Sequence, residues 1–149
     1  MSNLSWNDDD HPEAAAKHLH DAEVLLHAAR FDGAGYLSGY VVECALKTVF
    51  LFDQVMQHGT TCLTKAHRQV AMKPFGHNLA ALAALTFGPH GAQYMPDLSL
   101  SPSVVQRWKE TIRYRCQGTI KEDEAVAWYW WASFVYAESV LRMRLDGVL

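Results

Sequence analysis

Ala34-Gly35-Tyr36-Leu37-Ser38-Gly39-Tyr40-Val41-Val42-Glu43-Cys44-Ala45-Leu46-Lys47 is the stretch on which the fold turns. Its apolar residues do not alternate as a half-buried strand requires. A helical core stripe instead runs through Leu37, Val41, Ala45, Thr48 and Phe52. The run predicts a helix over about 34–57. Gly35, Ser38 and Gly39 lie near its start. Glycine costs about 1 kcal/mol against alanine inside a helix, so Gly39 implies a close approach, with the backbone of a crossing helix as the expected neighbour. The same run carries a polar stripe. Tyr36, Tyr40, Glu43 and Lys47 are spaced 4, 3 and 4, which at about 100° per residue keeps them within about 60° of one another. Glu43 and Lys47 stand i,i+4 in the order that favours an ion pair. Such a stripe is either a solvated face whose pair is worth roughly a few tenths of a kcal/mol or a partly enclosed functional cluster, and its apolar neighbours argue for enclosure.

Outward from this helix the spacing stays helical. Ala15, Leu19, Ala22, Leu26 and Ala29 form one face of a first helix, with Asp10 as N-cap, Pro12 in the first turn and Glu13 three residues after the cap. Its end is expected near Phe31-Asp32-Gly33. Residues 58–76 lack a period and contain Pro74 and Gly76, which predicts a long connection. A short helix follows over 78–86, with Leu79, Leu82 and Leu85 on one side. Gly88-Pro89, Gly91 and Pro96 predict a loop. Ser101-Pro102 then opens a helix to about Tyr114, and Gln117-Gly118 breaks it. Thr119 and Glu122 fit a capping box for a last helix over about 121–145, whose acidic start and Arg142 and Arg144 at its end suit the helix dipole.

No alternating strand pattern appears, so the expected fold is all-α: an up-and-down bundle of four main helices plus short ones, in one domain with its core at about 11–145. On the last helix Trp128, Tyr129, Trp130, Trp131, Phe134 and Tyr136 ring more than one face. One face can enter the bundle, and the other implies a partner subunit, with a symmetric homodimer as the commonest solution.

The 149 residues, half of them hydrophobic and 19% charged, have the composition of one globular domain. The 13 Lys+Arg against 16 Asp+Glu give a formal charge of −3, which excludes a broad nucleic-acid-coating surface but not a small phosphate site. Cys44, Cys62 and Cys116 form no CxxC pair and read as reduced cytosolic thiols. Asp8-Asp9-Asp10 stands where a secretory signal needs a basic start, and the most apolar stretch, 125–137, is too short to span a bilayer. A cytoplasmic protein without a membrane anchor is the expectation.

Two further segments carry polar chemistry: Gly76-His77-Asn78-Leu79 at a helix start, and Trp108 with Arg113-Tyr114-Arg115 at a helix end. A histidine at a helix N-terminus with an arginine nearby suits a phosphate, if the fold brings the segments together. They read equally as a capped helix and a solvated basic turn. His11, His18, His20 and His27 lack metal-ligand spacing, and no phosphate loop, HExxH or GxSxG motif is present, so no metal or cofactor is expected. Cys62 and Cys116 would be nucleophiles only beside a base.

The run from Ala34 to Lys47 resembles the second-helix signature of HEPN domains, small helical domains named for higher eukaryotes and prokaryotes and for nucleotide binding. Ala29-Arg30-Phe31, His77-Asn78-Leu79 and Arg113-Tyr114 agree with the family in order. The resemblance implies a dimerising helical bundle that works beside a nucleotidyltransferase, often as a toxin–antitoxin pair, and whose members in many cases cleave RNA without metal. The ribonuclease members carry Arg, four to six residues, then His. Here the closest ordered pair, Arg68 and His77, has eight residues between, so that catalytic pair is not carried over. What is carried over is a polar cluster of Tyr36, Tyr40, Glu43, Lys47, His77 and Arg113. The resulting expectation is a module that binds a nucleotide, an RNA or a nucleotidyltransferase, with Arg113 and Lys47 on phosphate, His77 orienting, and Tyr36 or Tyr40 stacking a base. The alternatives are a metal-independent ribonuclease using His77 with Arg113 or Arg115, and a dimerising scaffold in which Glu43–Lys47 only fixes helix register.

Overall fold

Asp10 caps the first helix: its Oδ1 accepts from the Glu13 N–H at 3.0 Å, and α1 runs His11–His27 with Pro12 in its first turn. The helix ends earlier than its apolar spacing predicts. Ala29 takes a left-handed φ of 56°, and the amides of Ala29 and Arg30 fold back to Leu26 and Leu25 carbonyls, which closes α1. Phe31-Asp32-Gly33 therefore opens α2 (Phe31–His58) instead of ending α1. Asp32, in the first turn of α2, accepts from Gly118 N–H at 2.6 Å and Ile120 N–H at 2.7 Å. This ties the entry of the last helix to the start of α2.

The computed structural model describes residues 10–59, 73, 75–100 and 102–149. Most of the expected connection 58–76, with Cys62 and Arg68, lies outside the described residues. α2 is the axis of the fold. Its residues 41–49 are buried all round, and its neighbours include α1 and the last helix. Among the described residues it is the helix long and apolar enough to cross a membrane, whereas the sequence reading has 125–137 as the most apolar stretch and finds it too short. Most of the apolar window in α2 is covered by the rest of the fold.

The close approach at Gly39 is made by a side chain and not by a helix backbone. A Cβ there would overlap the Trp108 indole, whose Nε1–H donates to the Tyr36 carbonyl at 2.9 Å. Gly35 likewise admits Ile120 and Trp128. Burying Trp108 in this way divides the helix expected over 102–114. α5 (Pro102–Arg107) stops before it, Lys109 is extended, and Glu110–Tyr114 forms a 3-10 turn. Among the described residues between α2 and α5 lie two short α-helices, α3 (Leu79–Ala83) and α4 (Pro89–Ala92), and a 3-10 turn, Leu98–Leu100. α4 replaces part of the expected loop because Asp53 Oδ2 and Oδ1 accept from the amides of Gly88 and Gly91 at 2.9 and 2.8 Å.

α6 (Glu122–Tyr136) starts after Lys121 with no side-chain cap. Thr119 Oγ1 donates to the Cys116 carbonyl instead of capping the helix. A π-helical turn, Ala137–Leu141, carries α6 into α7 (Arg142–Leu145), so the chain is helical across 122–145 as the sequence predicts. Trp128 and Trp131 are buried, whereas Trp130 is 67% exposed. The fold class is all-α, with no strand among the described residues. Its frame is α1, α2 and α6.

Candidate functional site

Helical spacing puts Tyr36, Tyr40, Glu43 and Lys47 on one side of α2, and packing encloses that side. Glu43 and Lys47 are buried, and Lys47 Nζ donates to Glu43 Oε1 at 2.6 Å. His77 reaches the same carboxylate from the turn before α3, its Nδ1 standing 3.0 Å from both Oε1 and Oε2. A carboxylate only accepts, so Nδ1 carries the proton and the other ring nitrogen, Nε2, is the one left for chemistry. The His77 side chain is 47% exposed, against 4% for Glu43. A buried carboxylate thus holds a half-exposed imidazole in one tautomer and one orientation.

Tyr40 sits among aromatic rings. Its ring centroid lies 5.0 Å from Tyr36, 5.0 Å from Trp108, 5.7 Å from His77 and 5.7 Å from His18. The Tyr36 and Tyr40 hydroxyls are 3.3 Å apart. Burial, followed by that hydrogen bond, holds the Tyr40 phenol well above its usual range, so it remains a proton donor. Burial also lowers the His18 pKa. Arg113 closes the series from outside, with Nη1 3.5 Å from the Tyr36 hydroxyl and its guanidinium over the Tyr114 ring. The structure thus brings all six sequence-derived residues into one continuous series of contacts: Arg113, Tyr36, Tyr40, His77, Glu43, Lys47.

Two expected roles change. Lys47 is buried against Glu43, so its ammonium is not available to a phosphate at the surface. His77 and Arg113 are linked through the tyrosine pair and do not touch directly. The helix start beside His77 is also occupied, because Asn78 Oδ1 accepts from the Ala81 N–H at 3.0 Å.

His77 opens onto a cleft of about 350 Å³ walled by Phe75, Gln106, Trp108, Lys109 and Glu110. The sequence reading missed Gln106, Lys109 and Glu110. Their one signal was the bulky Trp108 in the middle of an expected helix, where Gly39 on α2 leaves room for it. Cys44 is buried beside the site with its thiol pushed up to about 12, first by burial and then by Glu43, which leaves it unreactive at neutral pH. Cys116 is exposed. Among the described residues no group of three or more His, Cys, Asp or Glu is placed to hold a metal ion. No family model, curated protein or solved structure matches the chain.

Proposed function

We propose that this chain is a HEPN-like, dimerising helical domain that binds a nucleotide or RNA segment in the His77 cleft, in partnership with a nucleotidyltransferase of the toxin–antitoxin kind. The observation that carries the binding site is His77 held at 3.0 Å by both oxygens of buried Glu43 while its ring opens onto the cleft. A buried ion pair costs several kcal/mol of desolvation, roughly as much as its attraction returns, so helix packing alone gives no reason to place one here. A pair that aims an imidazole does give a reason. His77 would meet a phosphate or ribose hydroxyl, Lys109 would supply the charge that Lys47 cannot, and Tyr36 and Arg113 would form the outer edge. No cofactor is needed for this reading. Dimerisation is supported by Trp130, Phe134, Leu141 and Leu145, four large apolar side chains exposed along the last helical stretch.

The test is thermal unfolding against a panel of nucleotides and short RNAs in EDTA. A ligand at about 100 times its Kd adds roughly 2.7 kcal/mol. We expect a shift for a phosphorylated ligand that is absent in His77→Ala, with the unliganded melting temperature little changed. An undiminished shift in that variant removes the cleft from the account.

One observation favours metal-independent RNA cleavage as a second reading. A carboxylate on Nδ1 leaves Nε2 placed as a general base, which is the arrangement that in-line attack by a 2′-hydroxyl requires. RNA cleavage in EDTA that disappears in His77→Ala is the expected sign of that activity, and no cleavage by the wild type would leave binding alone.

A further inference from the structure

The cleft at His77 has little net charge of its own, since its wall carries one lysine, Lys109, and one glutamate, Glu110. The positive charge lies next door. A second cavity of about 160 Å³ is lined by Arg107, Lys109, Thr111, Arg115, Glu124 and Trp128 among others. Lys109 lines both cavities. Arg107 pairs with Glu124, but the ion pairs among the described residues engage neither Lys109 nor Arg115. Two cations without an ion-pair partner therefore line a concavity beside the Arg107–Glu124 pair, in a protein whose overall charge is −3. Between Arg113 and Arg115 stands Tyr114, 74% exposed, with the Arg113 guanidinium 4.7 Å from its ring centroid. Cations alternating with a solvent-facing aromatic ring are the arrangement that single-stranded nucleic acid uses, with phosphates on the cations and a base on the ring. A mononucleotide needs none of this second cavity.

We propose that Lys109 and Arg115 form a second phosphate subsite, and that the two cavities together take consecutive nucleotides of a single strand, with Tyr114 as a stacking platform. This rests on the nucleotide-binding reading of the His77 cleft and extends it from a nucleotide to an oligonucleotide.

The test compares uridine monophosphate with a fluorescent hexauridylate RNA in EDTA, over a range of salt, for the wild type, His77→Ala, Arg115→Ala and Tyr114→Ala. The wild type should bind the hexamer at least about tenfold tighter than the mononucleotide. Arg115→Ala should weaken the hexamer and reduce the slope of log K against log salt by about 0.7, with the mononucleotide unaffected. Tyr114→Ala should weaken the hexamer at all salt concentrations with its slope retained. His77→Ala should weaken both ligands. If His77→Ala weakens both while Arg115→Ala and Tyr114→Ala leave the hexamer unchanged, the second subsite is wrong and the His77 reading stands. If the wild type binds neither ligand, both fail. Equal displacement of the hexamer by an acidic peptide of the same charge overturns the nucleic-acid assignment. Arg115 and Tyr114 are exposed, so these variants should fold, which circular dichroism melts would verify.

Discussion

Two buried carboxylates lie on the same helix, Glu43 and, nearer its C-terminal end, Asp53, and they are satisfied in opposite ways. Asp53 accepts from the backbone amides of Gly88 and Gly91 and from Gln57 Nε2 at 2.7 Å. A Cβ at Gly91 would stand 2.7 Å from the Asp53 Cβ, so nothing but backbone fits there. Glu43 is satisfied by side chains, Lys47 and His77, and one of these opens onto a cleft. The first is a clasp that fastens α4 to α2. The second is a mount that aims a titratable ring. Burial and charge are alike in both, and what distinguishes a site from a clasp is whether a partner of the carboxylate still has a functional group to offer.

The sharpest way to break this contrast acts on Glu43. Glu43→Leu leaves Lys47 buried without a counter-ion and should cost about 3–5 kcal/mol in urea unfolding. Adding Lys47→Met should recover most of that stability, because an apolar pair replaces an ionic one, but not nucleotide binding, because His77 has lost its mount. Recovered binding in the double variant would make Glu43 a clasp as well. Asp53→Ala should cost about 2–4 kcal/mol by leaving two amides unsatisfied, with affinity per folded molecule unchanged. Lost affinity at full folding would erase the distinction from the other side.

Gly39→Ala sharpens the contrast more gently. Its methyl must displace Trp108, at about 1–3 kcal/mol, and a shifted Trp108 wall should also weaken binding, whereas an equally costly core change far from the cleft should not. The smallest effect concerns pH. Burial holds His18 below the ordinary histidine value of 6.5. Below that value the unfolded chain takes up the proton first. The stability that neutral His18 contributes is therefore present above about pH 6.5 and is lost as pH falls towards the folded value. His18→Gln should flatten this part of the melting-temperature profile between pH 7 and 5, and an unchanged profile would remove His18 from it.

How much of this was legible in the sequence follows from the range of each interaction. The stripe of Tyr36, Tyr40, Glu43 and Lys47 was readable because i,i+3 and i,i+4 neighbours meet on any helix. His77 and Arg113 stood out as a helix-start histidine and a helix-end arginine, but only the family resemblance grouped them with the stripe, and no local pattern would have joined them to α2. Asp53 showed only its i,i+4 neighbour Gln57; the contacts that make it a clasp are with backbone amides more than thirty residues away, and an amide has no letter in the sequence. The corner at Ala29 was misplaced because apolar spacing continues through a turn that only backbone hydrogen bonds reveal. Trp108 was read as part of a helix, and its burial against Gly39 became visible only when the two segments met.

The most direct test of the central claim is long-range 1H–15N correlation of the histidine side chains in mildly alkaline solution. The account predicts that His77 is the Nδ1–H tautomer, that it loses this preference in Glu43→Gln, and that its Nε2 signal moves when the hexauridylate is added. An Nε2–H tautomer that is indifferent to both the substitution and the ligand would contradict it.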